Sequence, residues 1–475
     1  MDDDVNKVVS QSETLNFELT ATNVAELLSA IQTKHKRNVS LREQYVTDYT
    51  KYMAIEEDLN EDVTFLQRIA NLPQLVPLFI QHNGVEITTA LIEHPNIDLS
   101  NAVVNLIQEL TEDDFLNEID NPQSFMEMYI NNNVFPRLVK LLFTLSEQSV
   151  VNHNDITQYQ MDVLSILENY IDIYSPSANL LCQQTRLMQW LLSVITASNE
   201  HLSELERNDL RLFASELLYS LLQASLVNQQ QFAELKALPS VINVIVNMKS
   251  NYKEYDGANN NEYIHNVFNC ICCALLEQGN KELFTQTDGV NVFIDLMKSN
   301  DVFRVLSLKV LNYALQGDKD NCATFIESNG LGVLFAFYMG KGTKRIKGVT
   351  NEEVYDSELY CLEMVLSLMK YVDGVCKERL MFKFKENRYE KVIRLVDYYY
   401  ANATVKEDNE YRCNVIAMIM LFLCKQDDVV GKIYTKRNVD VDGTVRSVVR
   451  KYYEEVIKPN EDNNSDSKFI YNLIN

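Results

Sequence analysis

From Tyr49 onward the chain alternates apolar and polar positions with the period of a helix. Leu66, Ile69, Leu72, Leu75, Leu78 and Phe79 recur mostly three residues apart, which lines one helical face with apolar side chains. A turn at Asn83-Gly84-Val85 follows, then Val85, Ile87, Leu91 and Ile92, then a break at His94-Pro95-Asn96. Beyond the break, residues 99–110 place Val103, Val104, Ile107 and Leu110 on one face of a longer helix. Asn-Gly and Pro mark the boundaries, the first by tolerating a turn and the second by excluding helical backbone just before it. The predicted unit is a short helix, a turn and a long helix.

The unit returns down the chain. Asn133-Val134 with Leu138, Leu141 and Leu142 opens a second copy that closes over 161–170; 187–195 and 210–222 make a third, 241–248 and 263–276 a fourth. Asp288-Gly289-Val290 opens a fifth that ends over 305–315, and Asn329-Gly330-Leu331 a sixth that ends over 359–369. Counted from Val85, Val134, Leu187, Val241, Val290 and Leu331, the steps are 49, 53, 54, 49 and 41 residues. Armadillo and HEAT repeats run at roughly 40–47 residues, so these copies are stretched by inserts between the short and long helices. Residues 389–400 and 411–423 read as a seventh, atypical copy, and 445–457 as a closing cap. No such helical pair buries its apolar face alone, whereas stacked neighbours share a continuous core. The expected fold class is all-α, an armadillo/HEAT-like right-handed superhelical solenoid with helical caps at both ends. Its expected organisation is a flexible arm over 1–48, with a short amphipathic helix inside 14–31, and an N-terminal helical cap over 49–82. A repeat array over 83–425 and a C-terminal helical cap and tail over 426–475 complete it.

Composition agrees with helices. Pro and Gly number 8 and 13 among 475 residues, about a third of average usage, and sandwiches, barrels and low-complexity linkers need more turn residues. The nine cysteines are odd in number and most lie within apolar helical stretches, as reduced core residues do. No basic-then-apolar leader opens the chain and no long uninterrupted apolar run occurs, so a soluble, non-secreted protein is expected.

Charge narrows the function classes. Lys and Arg total 43 against 67 Asp and Glu, a formal charge of −24, which argues against a surface that coats nucleic acid. In armadillo arrays the long helices line the binding face, and reading them in that register nominates Glu109, Asn169, Ser220, Cys273, Asn312 and Ser367. Only two of these are Asn and the single Trp190 lies in a short helix, so the Asn and Trp ladder of nuclear import receptors is absent. Acidic runs at 56–62 and 112–120, with Glu112, Asp113 and Asp114 at the core of the second, form rims that would steer a basic, extended peptide; they would equally serve solubility. Against that background Lys341, Lys344, Arg345 and Lys347 make a basic loop, suited to a phosphate backbone or an acidic segment, or simply solvated.

Catalytic signatures are missing from the sequence. The six histidines are scattered without metal-ligand spacing. Cys270, Cys272 and Cys273 are rotated about 100° per residue along one helix, so they do not converge on one ion. Gly340-Lys341-Gly342 is not followed by the Gly-Lys-Ser/Thr of a phosphate loop, and no nucleophile elbow or zinc-protease motif occurs. A non-enzymatic protein without cofactor or metal is expected.

Several stretches carry a resemblance. The residues 54–60 and 73–78, the run 99–111 ending Gln108-Glu109-Leu110-Thr111, 308–314, Asp320-Asn321-Cys322, 344–350, and 383–387 ahead of Glu390-Lys391-Val392 resemble the beta-catenin-like protein 1 family over roughly 50–457. The resemblance implies an armadillo-like, nuclear, spliceosome-associated protein of the nineteen complex that binds basic nuclear-localisation-like segments of splicing factors and self-associates. It implies no membrane and no sequence-specific nucleic acid as partner. The family's longer Lys- and Arg-rich N-terminal extension is reduced here to Lys34–Arg37, and the region after Tyr400 is shortened. A nuclear carrier for basic cargo and a general interaction scaffold are the alternative readings.

Overall fold

The computed structural model describes residues 18–148, 153–197, 204–251, 258–343, 346–403, 410–460 and 465–475. They divide into two compact units, Met1–Asn228 and Gln229–Asn475, and among the described residues the regular elements of both are helices, with one isolated bridge between Asp301 and Lys347.

Unit 1 opens with α1 (Val24–Gln44) and α2 (Met53–Leu66). The expected flexible arm is corrected from residue 24 on, because α1 buries Val24, Leu28, Ile31 and Asn38 and packs on α2. A buried polar network locks it there: the Glu56 carboxylate accepts from Asn38 Nδ2 (2.8 Å), Arg42 Nε (2.5 Å) and Asn96 Nδ2 (3.0 Å). Burial alone would raise the Glu56 pKa, and these donors outweigh it and hold it below the ordinary carboxylate value. The polar composition of α1 hid this docking, since its stripe of three aliphatics is supplemented by a buried asparagine.

Three repeats follow, each of three helices. The first is α3 (Val76–Gln81), α4 (Gly84–Leu91) and α5 (Ile97–Thr111), trailed by the one-turn α6 (Asp113–Leu116). The second is α7 (Pro122–Asn131), α8 (Val134–Gln148) and α9 (His153–Ile173); the third is α10 (Ser177–Gln184), α11 (Leu187–Thr196) and α12 (Glu204–Ala224). Helix α13 (Leu226–Glu234) carries the chain into unit 2. There α14 (Leu238–Ser250) precedes α15 (Ala258–Ala274), and the next triplets are α16 (Gln278–Gln286), α17 (Gly289–Leu296), α18 (Val302–Leu315), then α19 (Lys319–Glu327), α20 (Gly330–Tyr338), α21 (Asn351–Tyr371). Helix α22 (Gly374–Ala403) is broken at 386–389 and supplies two helices before α23 (Glu410–Gln426); α24 (Asp428–Lys436), α25 (Arg446–Tyr452) and α26 (Ser465–Ile474) end the chain.

The joint between the first two helices of a repeat has a recurring design. Asn83, Asn133, Lys236, Asp288, Asn329 and Asn438 all adopt left-handed backbone, with φ between 50° and 63°, a region Asn and Asp tolerate better than other side chains. An aromatic residue stands four positions earlier each time: Phe79, Tyr129, Phe232, Phe284, Phe325 and Tyr434. At Gly84, Gly289 and Gly330 a Cβ would fall within 2.3–2.8 Å of the Phe79, Phe284 or Phe325 side chain, so glycine is what lets the ring lie across the joint. The Asn-Gly and Asp-Gly pairs seen in the sequence are therefore packing joints as well as turns.

A second recurrence stitches neighbouring repeats. Asn228, Asn280 and Asn321 are fully buried at the starts of α13, α16 and α19. Asn228 Nδ2 donates to Leu221 O (2.8 Å) and Ala178 O (3.3 Å), and Asn280 Nδ2 to Ala274 O and Gln229 O, both 3.0 Å. Asn321 Nδ2 reaches Lys281 O at 3.3 Å. Asn228 and Asn280 cap carbonyls in the last turn of α12 and α15, and all three tie one repeat to the one before it.

Candidate functional site

The long helices pack side by side in each unit: α5 on α9 and α9 on α12 in unit 1, and α15, α18, α21 and α23 in sequence in unit 2. Their non-core faces carry the residues nominated from sequence, and the two units use them differently.

In unit 1 the face is acidic. Glu109, near the end of α5, is exposed, and Asn169 of α9 and Ser220 of α12 are half-buried. Asn169 Nδ2 donates to Thr111 Oγ1 at 3.3 Å, which fixes α9 against the end of α5. Partial burial, together with Glu112, raises the Glu109 pKa. Burial followed by Glu216 and Asp172 pushes Glu168 up to about 6, and burial followed by Asp113 raises Asp172. Among the described residues no Lys, Arg or His forms an ion pair with Glu109, Glu112, Asp113, Glu168 or Asp172. The rim residues Glu112, Asp113 and Asp114 are exposed around the start of α6. Sequence reading nominated Glu109, Glu112 and Asp113 and missed Glu168, Asp172 and Glu216. The missing signal was present: Glu168 and Asp172 are one turn apart flanking Asn169, and Glu216 is one turn before Ser220, on the same helical faces.

In unit 2 the equivalent positions are satisfied from within. Asn312 is buried, and its Nδ2 donates to Glu363 Oε2 at 2.6 Å; Tyr411 Oη donates to the other oxygen at 2.8 Å. Burial still raises the Glu363 pKa against those two bonds. Lys309 Nζ donates to Asn269 Oδ1 at 2.8 Å beside Cys273, whose thiol burial pushes up to about 11. Ser367 is buried and lines a cavity of about 210 Å3 with Gln316, Lys370 and Tyr452, closed by Asp466, Phe469 and Ile470 of α26. Cys273, Asn312 and Ser367 thus lie in one unit on successive helices, engaged by its own side chains or next to its terminal helix.

Of the basic loop, Lys341 and Lys347 are exposed, and Lys344 and Arg345 lie outside the described residues. Lys341 N donates to Ala336 O and Gly340 N to Phe337 O, with Gly340 left-handed at φ 70°. This is a glycine helix cap, which explains the Gly-Lys-Gly without a phosphate. Arg304 holds the loop by donating to Lys341 O (2.8 Å) and Gly342 O (3.2 Å), and Ile346 is buried beneath it.

Three-helix repeats on a left-handed aromatic joint define an armadillo-repeat protein. A structure concerning the interaction between cadherin and β-catenin matches at a TM-score of 0.55 and 12% identity, over 96% of this chain and 79% of that one. The family described as "Catenin-beta-like, Arm-motif containing nuclear" matches residues 3–431, and the chain belongs to that family. Beta-catenin-like protein 1 of Bos taurus is 29% identical over 426 residues, 88% of this chain and 73% of that protein. The Homo sapiens protein of the same name is 30% identical over 387 residues, 80% of this chain and 66% of that protein. The chain therefore spans about two thirds to three quarters of these relatives' lengths.

Proposed function

We propose that this protein is a non-enzymatic nuclear adaptor that holds basic, nuclear-localisation-like segments of splicing factors, as part of the nineteen complex in pre-mRNA splicing. The observation that carries the basic-segment reading is the acidic face of unit 1. Burial first and neighbouring carboxylates second raise the pKa of Glu109, Glu168 and Asp172, none of which forms an ion pair with a Lys, Arg or His among the described residues, and a Lys- and Arg-rich segment supplies a cation to them. The assignment to splicing rests on the family's nuclear description together with the resemblance drawn from the sequence.

A fluorescein-labelled Lys- and Arg-rich peptide titrated in an anisotropy experiment tests the face. Replacing Glu109, Glu112 and Asp113 together by Lys is expected to weaken binding by at least ~10-fold and to flatten its salt dependence. All three are exposed, so the fold tolerates the change, and an unchanged affinity removes the face from the mechanism. Copurification of spliceosomal RNA with the tagged protein tests the cellular setting independently.

A further inference from the structure

The last helix of unit 2 is seated on its neighbours as a ligand would be. α26 packs on α23 and on the stretch that ends α25 and follows it. Asp466, Phe469, Ile470, Leu473 and Ile474 stand at positions i, i+3, i+4, i+7 and i+8, one stripe of a helix. Ile470, Leu473 and Ile474 are buried, and Phe469 lies against Phe422 of α23 with 6.0 Å between ring centroids. The receiving surface brackets the helix at both ends. Lys370 of α21 pairs with Asp466 in its first turn. At the other end Lys425 of α23 donates to Asn472 O, and Arg446 of α25 donates to Ile474 O (2.6 Å) and Leu473 O (3.4 Å). An acid in the first turn and cations on the last carbonyls are what a helix dipole favours, so the three cations select a helix and its direction.

Two features mark this seat as exchangeable. The first is charge. The Lys370 side chain is 9% exposed, and among the described residues its ion pair is with Asp466, which is 47% exposed. The other carboxylate of the cavity beneath α26, Glu363, is already held by Asn312 and Tyr411. Lifting α26 therefore leaves on α21 a cation in need of an acid. The second feature is fit. The cavity of about 210 Å3 lined by Gln316, Ser367, Lys370 and Tyr452 stays open under α26, so the helix spans the site without filling it. A helix of ten residues is moreover too short to hold its fold alone. Its order depends on being docked, and its release leaves α21 and α23 packed on each other.

We propose that α26 is a built-in ligand covering a helix-docking site on α21 and α23, and that the site takes in exchange a helix of a partner protein with an acid in its first turn and large apolar side chains three, four and seven residues further on. The partner's acid replaces Asp466 at Lys370, its first apolar side chain stacks on Phe422, and a bulkier neighbour fills the cavity that α26 leaves open. Helix-in-groove recognition works through anchors at these spacings, and the tethered α26 competes as a high local concentration of the same motif. The site lies wholly within unit 2, so it stands or falls independently of the basic-segment reading of unit 1.

A fluorescein-labelled synthetic peptide of residues 465–474, titrated against the full chain, is the probe. Leu473→Asp undocks the cover and leaves every receiving residue in place, and the peptide is expected to bind this variant at least ~10-fold more tightly than the parent. Adding Lys370→Glu should abolish the gain. Asp466→Lys, changed at a half-exposed position, is a second way to uncover the site. Hydrogen exchange reports folding: in both uncovered variants α26 should lose protection while α21 and α23 keep that of the parent. Helical peptides selected from a library on the Leu473→Asp chain should carry the acid and the apolar spacing, and should strip protection from α26 when added to the parent. The proposal is overturned if neither variant binds the probe more tightly than the parent does, or if α26 exchanges its amides only together with α21 and α23. It is equally overturned if the selected peptides lack the acid, or if Leu473→Asp halves or doubles the mass in light scattering, making α26 a link between two copies.

Discussion

On α5, α9 and α12 of unit 1, carboxylates look at carboxylates; on α15, α18, α21 and α23 of unit 2, the corresponding surface pairs Glu363 with Asn312 and Tyr411 and Lys309 with Asn269. The same stack of long helices is thus left electrostatically open in one unit and closed in the other. Hydrogen bonds to a carboxylate contribute more than neutral ones, so in unit 2 Asn312 and Tyr411 offset part of the burial cost of Glu363, whereas in unit 1 Glu216 and Asp172 add to that of Glu168. A surface left in mutual repulsion gains most when a ligand of opposite charge arrives, and this difference directs the basic-segment reading to unit 1.

The comparison breaks first at Asn312. Asn312→Leu removes a donor from Glu363, and the expected loss is about 1–2 kcal/mol, reduced because the unpartnered Oδ1 of Asn312 disappears with it. Thermal melting should fall while the affinity for a basic peptide stays unchanged; a loss of peptide binding would place that function in unit 2 instead. The second way is pH. Glu168 is shifted from 4.5 to about 6, so it carries full charge only above that range and basic-peptide affinity is expected to rise several-fold between pH 5 and 7. Glu168→Gln should remove that rise, and a pH profile identical in both proteins would show that Glu168 takes no part. The smallest effect concerns stability. A carboxylate with a raised folded-state pKa destabilises the fold once ionised: the cost is absent below about 4.5, grows as pH rises through about 6 and is complete above it. Glu168→Gln should therefore stabilise the protein at pH 7, by about 0.5 kcal/mol after solvent screening at a half-exposed site. Calorimetry at pH 5 and pH 7.5 checks the sign, since the gain must shrink at the lower pH.

Much of this fold was legible in the residues. Three of the six left-handed joints announce themselves as Asn-Gly or Asp-Gly, and the long helices as apolar stripes, so the helical-repeat fold class follows from periodicity. Beyond α3, the first helix of each triplet did not show. In α16 the buried residues are Asn280, Lys281 and Phe284, two of them polar, and a helix packed through an asparagine and a lysine leaves no apolar stripe. The nominated face residues illustrate the same limit. Register along a helix marked Glu109, Asn169 and Asn312, yet only packing revealed that Asn312 is consumed by Glu363 while Glu168 is opposed by Asp172 and Glu216. Cross-repeat electrostatics depends on helix rotation, which a single sequence leaves free by a residue or so in either direction.

The aromatic joint has a consequence for how such a chain tolerates change in length. Because ring and left-handed residue sit at a fixed four-residue offset, the first two helices of each repeat that carries the joint are held in register as a cassette; the α10–α11 pair, joined through Thr185 and Arg186, does not carry it. Steps that vary from 41 to 54 residues are absorbed outside those cassettes, as between α5 and α7, where the one-turn α6 intervenes. Length can therefore change outside a cassette without altering how its ring seats on the joint, whereas one residue added between ring and left-handed position would rotate the next helix's approach by about 100°.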